Sequence, residues 1–222
     1  MSLRVFISDS TAGGTHGTDL KAAISFGYGS DISAEITLRL NGSYSSAQIL
    51  ADMAEAYDAG YIAFVQSAFG PNAFIAAARD YQSTMQMFSP LGSNSSTLLS
   101  TPDPVPGIVT SGAGDTDNDT AYGPGLEFWD DDNDGNMNND ASSFSNGTVC
   151  GKILKIYDSR GRGWWDARRS ARKTASGGGV RTDANGYGKI DVSAAIAYPT
   201  SHGQNKWWDQ RLKRTPYRRY EL

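Results

Sequence analysis

Short apolar runs alternate with segments of helical spacing along most of this 222-residue chain. LRVFIS, IAFVQSAFG and PGIVTSGA have the character of buried strands, whereas SSAQILADMAEAYDAGY keeps its apolar residues at helical spacing up to Gly60. This alternation predicts an α/β fold with a mostly parallel sheet covered by helices on both faces. Because the carboxyl ends of parallel strands meet at one edge, a functional site is expected there.

The remaining elements follow the same logic. Residues 18–25 and NAFIAAARDYQSTM are predicted helices, and residues 33–40 and MQMFSP are predicted strands. Residues 121–146 are turn-rich, acidic and without period, so a loop is predicted. Two helices are then expected in NGTVCGKILKIYDSRG and WWDARRSARKTA, and GYGKIDVSAAIAYP closes the domain. We predict one domain over 1–199 and an aromatic, basic extension over 200–222.

The composition excludes several classes of partner. A net charge of −4 and a pI near 5.1 give no global basic field for nucleic acid or an anionic membrane. No apolar run is long enough to span a bilayer, and MSLRVFISDS lacks the pattern of a signal peptide. A cytoplasmic location, or a place in an assembled particle, is therefore expected. The single Cys150 allows no intramolecular disulfide.

Four residues supply the groups that serine hydrolases use. Asp9 ends the first strand, His16 precedes a helix, Asn94 follows another strand, and Ser143 precedes a helix of small residues. They offer an orienting carboxylate, a base, an oxyanion donor and a nucleophile. Taken singly, each has a simpler interpretation as a surface imidazole, a turn residue or a helix cap.

Five segments in the same order resemble the subtilases, the subtilisin-like serine peptidases. THGTDLKAAI resembles the family's histidine motif, and VFISDS resembles its aspartate-bearing strand. LGSN resembles the asparagine loop, ASSFSNGTVCGKI resembles the serine motif, and KTASGG followed by GYGKIDVSAAIAY resembles the sequence after it. The resemblance runs from about Leu3 to Tyr198.

The resemblance implies a subtilisin-like three-layer fold and a serine endopeptidase acting on polypeptides without a required cofactor. It implies that Asp9, His16 and Ser143 form the triad and that Asn94 stabilises the oxyanion. QSAFG resembles the family's strand that pairs with bound peptide. The implied substrate-binding residues are Ser67, Ala68, Phe69 and Gly70.

The sequence departs from the family around the serine and the histidine. Ala141 and Ser142 stand where the family has Gly-Thr, and Gly147 stands where it has proline. Only six residues separate Asp9 from His16, where the family has a long excursion. No propeptide is recognisable before LRVFIS, which favours an intracellular form or a fold retained for a structural purpose.

An acidic run resembles the first half of a calcium loop. Asp130, Asp132 and Asp134 followed by Gly135 have D-x-D-x-D-G spacing, in which alternate carboxylates converge on the ion. The twelfth position is Ala141 rather than the usual glutamate, and residues 115–119 repeat the spacing without the glycine. Both a calcium site and a solvated acidic loop remain open.

The C-terminal segment NKWWDQRLKRTPYRRYEL combines aromatic residues with Lys and Arg, a composition that interface cores favour. It suits either a contact with another subunit or packing on the domain's own acidic surface. The second hypothesis for the whole chain is accordingly a subtilase fold that serves as a structural or adhesive subunit, such as a phage virion protein, with impaired catalysis or none.

Overall fold

The computed structural model describes residues 3–10, 15–42, 44–67, 71–91, 107–113, 122–130 and 142–199. The strands are β1 (Val5–Ser10), β2 (Ile36–Asn41), β3 (Ala63–Gln66), β4 (Gln86–Pro90), β5 (Ile108–Ala113) and β6 (Phe128–Asp130). The α-helices are α1 (His16–Tyr28), α2 (Ser46–Asp58), α3 (Ile75–Tyr81), α4 (Ser142–Arg160), α5 (Trp164–Thr174) and α6 (Val192–Ala197).

The six strands form one sheet in the order β2-β1-β3-β4-β5-β6, and every pair of neighbours is parallel. Parallel neighbours need crossover connections, and three of these carry the helices α1, α2 and α3, which lead from β1 to β2, from β2 to β3 and from β3 to β4. All strands therefore end at the same edge of the sheet, as the alternating sequence pattern predicted.

Two hydrophobic clusters lie on opposite faces of this sheet. Val5 and Ile7 of β1 pack with α1, α4, α5 and α6, while Phe6 points the other way and packs with α2 and α3. Alternate residues of a strand point to opposite faces, so one buried strand feeds both clusters. The predicted three-layer arrangement is confirmed.

The predicted loop over 121–146 is wrong at 128–130 and at 142–146. Phe128–Asp130 forms the short buried strand β6, and α4 begins at Ser142 rather than near Asn146. Three residues are too few to show a period, and the polar start of α4 has the composition of a turn. The helix predicted over 18–25 is likewise longer in the structure, because α1 begins at His16.

Helices α1 and α4 are in close contact at two glycines of α4. A Cβ at Gly147 would lie 2.8 Å from Leu20 Cδ1 and 2.9 Å from Ala23 Cβ. A Cβ at Gly151 would overlap Ile24 O and lie 2.6 Å from Tyr28 N. The glycines at 147 and 151 thus let the two helices approach each other.

We expect Gly151→Ala to destabilise the protein by roughly 1–3 kcal/mol, because overpacking against backbone atoms outweighs the helix propensity of alanine, which is worth about 1 kcal/mol. Urea denaturation would show this as a lower midpoint. Gly42→Ala is the matched control, since a Cβ there meets nothing within 4 Å. Equal midpoints for Gly151→Ala and the wild type would contradict this view of the interface.

Candidate active site

Asp9 lies near the carboxyl end of β1, with a side chain that is only 3% exposed. Its Oδ1 atom accepts hydrogen bonds from the Ser10 N–H at 2.8 Å and from Ser67 Oγ at 3.0 Å. These two donors hold one carboxylate oxygen in place, and the other oxygen, Oδ2, faces His16.

His16 is the first residue of α1, and its side chain is 27% exposed. Its Nδ1 atom lies 2.7 Å from Asp9 Oδ2. The Phe144 ring packs beside the imidazole, with ring centroids 5.2 Å apart. A carboxylate can only accept, so Nδ1 carries the proton and Nε2 of the neutral ring is left as an acceptor.

Ser143 is the second residue of α4, and its Oγ atom lies 3.1 Å from His16 Nε2. The hydroxyl can therefore donate to the nitrogen that is free to accept a proton. The Ser143 N–H is one of the first four of the helix, which have no intrahelical acceptor. It is thus suited to donate to a developing negative charge.

Buried polar contacts hold the start of α4 against the sheet. Ser145 Oγ donates to the Gly112 carbonyl. Asn146 accepts from Ser111 Oγ at 3.3 Å and donates to the Gln66 carbonyl at 3.0 Å. Neither Ser145 nor Asn146 stood out in the sequence. Their only signal is a run of small polar residues entering a helix that is otherwise buried.

Asp9 and His16 shift each other's pKa: the pKa of Asp9 is lowered and that of His16 is raised. Burial by itself would raise the pKa of Asp9, but hydrogen bonds from His16, Ser10 and Ser67 outweigh it and hold that pKa below 3.8. The hydrogen bond to Asp9, opposed in part by burial, raises the pKa of His16 above 6.5. Asp9 therefore stays ionised and stabilises the imidazolium form of His16.

Several predicted site residues lie outside the described residues, namely Asn94, Ala68, Phe69, Gly70, Asp132 and Asp134. Ala141 and the extension 200–222 also lie outside them. Ser67, predicted from the resemblance as a substrate-binding residue, is described, and its hydroxyl lies against Asp9. The structure thus brings Asp9, His16, Ser143 and Ser67 together.

Asp130 does not have the setting of a calcium ligand. Its side chain is 1% exposed, and Lys152 Nζ lies 2.5 Å from its Oδ2. Within the described ranges, no three metal-ligating side chains converge. A carboxylate already neutralised by a lysine, in a run that lacks the twelfth-position glutamate, fits a calcium ion poorly.

The fold is subtilisin-like. The chain superposes on the epidermin leader peptide processing serine protease EpiP from Staphylococcus aureus with a TM-score of 0.65, at 12% identity over 90% of this chain and 77% of that one. The PatG macrocyclase domain gives 0.60, at 10% identity over 88% of this chain and 90% of that one. The MycP3 protease of the type VII (ESX-3) secretion system gives 0.55, at 16% identity over 77% and 68%.

No protein-family model matches the chain, and no curated protein sequence matches it. In the part of the chain that the structure describes, no helix is long and apolar enough to cross a membrane.

Proposed function

We propose that this protein is a serine endopeptidase of the subtilase type that hydrolyses peptide bonds through Ser143, His16 and Asp9. The observation that carries the proposal is the continuous hydrogen-bonded path from Asp9 Oδ2 through the His16 ring to Ser143 Oγ, with steps of 2.7 and 3.1 Å. A hydroxyl, a base and a buried carboxylate in this relation are the parts of a nucleophilic hydrolase.

In the first half of the reaction, Ser143 Oγ attacks the peptide carbonyl carbon while His16 Nε2 takes the hydroxyl proton. The carbonyl oxygen becomes an oxyanion, to which the Ser143 N–H donates, and Asn94 is the second donor that we expect. His16 then passes its proton to the amine nitrogen as the C–N bond breaks. The products are a free amine and an ester on Ser143.

In the second half, a water molecule takes the place of the amine. His16 Nε2 accepts a proton from the water as its oxygen attacks the ester carbonyl. The proton returns to Ser143 Oγ as the C–O bond breaks, which releases the acid product and restores the enzyme. Asp9 remains ionised throughout and keeps the Nδ1–H of His16 directed away from the nucleophile.

The neighbours by fold support a polypeptide substrate. EpiP is described as a leader peptide processing serine protease, and the PatG macrocyclase has been solved in complex with a peptide. These descriptions concern those proteins, and peptide hydrolysis by this chain rests on its own three side chains.

Labelling with a fluorophosphonate probe tests the proposal. We expect one covalent adduct per chain, lost in Ser143→Ala, because phosphonylation requires the same activated hydroxyl as acylation. Well-folded wild-type protein that takes no label would contradict the proposal. It would favour the other hypothesis, a structural subunit with this fold.

We also expect the protein to need no calcium, because Asp130 is already paired with Lys152. EDTA should leave both the melting temperature and the rate of probe labelling unchanged. A melting temperature that falls on chelation and recovers with added calcium, but not magnesium, would contradict this expectation and support the acidic run as a calcium site.

A further inference from the structure

Tyr44 reaches the end of β1 from the connection between β2 and α2. Its hydroxyl donates to the Ser8 carbonyl oxygen at 2.8 Å, and Ser8 directly precedes Asp9. The Tyr44 ring packs on the hydrophobic cluster that α2 and α3 cover. The phenol is therefore anchored at its ring and meets the main chain one residue before the carboxylate.

Ser67 lies near the same hydroxyl group, where its backbone and its side chain both act to lower the pKa of Tyr44. The single protons of the two hydroxyl groups are already placed, because Tyr44 donates to the Ser8 carbonyl and Ser67 donates to Asp9. Registered pairing of β1 with β3 ends at Ser8 and Gln66, directly before Asp9 and Ser67. Tyr44 thus binds the end of β1 at the point where its ladder with β3 stops.

The side chain of Ser8 is also held in place by a hydrogen bond to Asp52. Ser8 Oγ donates to Asp52 Oδ2 at 2.5 Å, and Asn41 Nδ2 donates to the same oxygen at 2.7 Å. Asp52 is itself buried on α2. With its side chain fixed by Asp52 and its carbonyl by Tyr44, Ser8 has little freedom to rotate, and neither does the peptide that carries Asp9.

The charges around the phenol keep it a donor. Burial raises the pKa of Tyr44, and the neighbouring Asp9 and Asp52 carboxylates raise it further, while Ser67 opposes them. The hydroxyl therefore stays protonated at neutral pH and can donate to the Ser8 carbonyl.

We propose that Tyr44 is a positioning residue: by donating to the Ser8 carbonyl, its hydroxyl fixes the peptide that carries Asp9 and so holds Asp9 Oδ2 on His16. This role rests on the proposed function, since the Asp9–His16 contact matters for rate only if Ser143 is the nucleophile.

Tyr44→Phe removes the hydroxyl and keeps the ring. We expect kcat for peptide hydrolysis to fall about tenfold, with KM changed less than about twofold, because loss of alignment affects the chemical step more than peptide binding. Tyr61→Phe is the matched control, since its hydroxyl also makes one 2.7 Å hydrogen bond, to Thr37, at an exposed position away from the site. A Tyr44→Phe enzyme with wild-type kcat, or with a raised KM alone, would overturn the proposal.

NMR titration of His16 provides a readout that does not depend on catalysis. The chain has two histidines, so His202→Gln leaves His16 as the one that titrates. Among the residues that the structure describes, Asp9 and Asp19 are the charged groups that act on His16. We expect the His16 pKa to fall towards 6.5 in Tyr44→Phe, because the hydrogen bond between His16 and Asp9 weakens, and to remain unchanged in Tyr61→Phe. An unchanged His16 pKa in Tyr44→Phe would overturn the role.

The two readouts separate the two proposals. If the wild-type protein takes no label and shows no activity, but Tyr44→Phe still lowers the His16 pKa, the peptidase proposal is refuted. The role of Tyr44 in positioning Asp9 is then retained. If Tyr44→Phe does not fold, Ser8→Ala tests the same anchor, because it removes the side-chain bond that fixes Ser8 to Asp52. A Ser8→Ala enzyme with wild-type kcat and His16 pKa would then overturn the proposal.

Discussion

Ser143→Ala is expected to lower kcat for peptide hydrolysis on the order of 10⁶-fold, because no other group in the variant can form the ester intermediate. His16→Ala should cost a similar factor, since an unactivated serine hydroxyl is a weak nucleophile. The double variant should be no slower than either single one, because the two side chains act as a unit. Steady-state hydrolysis of an internally quenched peptide measures all three.

Ser159→Ala is the control for Ser143→Ala, since Ser159 is an exposed residue of the same helix. It should retain wild-type kcat. Losses that multiply in the double variant, or a Ser143→Ala enzyme within about tenfold of the wild type, would contradict the assigned roles.

Asp9→Asn should lower kcat about 10⁴-fold while leaving the fold intact, because the amide favours the wrong tautomer of His16 and no longer stabilises its charged form. The acid limb of the pH profile of kcat/KM should also move. In the wild type the hydrogen bond to Asp9 raises the pKa of His16 above 6.5. The neutral, active form of His16 therefore predominates only at a pH above this raised pKa. In Asp9→Asn the limb should shift to lower pH.

Asp58→Asn provides the matched control, because Asp58 is an exposed carboxylate at the end of α2. Its profile should superimpose on that of the wild type. An acid limb that moves to higher pH in Asp9→Asn would show that the carboxylate does not stabilise the imidazolium, and would contradict the account of the site.

The architecture could be predicted because strands and helices leave different periods in the sequence. The parallel sheet and its two covered faces follow from apolar runs such as VFIS and from helices such as α2, whose Ser45 cap accepts from the Gln48 N–H. The short strand β6 could not be predicted, because its burial comes from neighbours distant in sequence. The start of α4 is polar, and its helical state depends on buried bonds to Gly112 and Gln66.

The candidate site was predictable in its residue types and less so in its geometry. Motif order pointed to Asp9, His16 and Ser143, and His16 lies within hydrogen-bond distance of both Asp9 and Ser143. Only six residues connect Asp9 to His16, and the sequence could not show how far apart this connection places the two side chains. Tyr44 carries no sequence signal, because its contact with Ser8 joins residues 36 positions apart. The catalytic roles themselves stay predictions.

Ser143 Oγ is expected to form a covalent ester with the acyl part of the substrate. This ester can be detected by mass spectrometry of the protein, quenched in acid during turnover of an activated peptide ester. We expect an acyl group on the peptide that contains Ser143, absent from Ser143→Ala. Hydrolysis at an undiminished rate by Ser143→Ala, or an acyl group attached elsewhere, would contradict it.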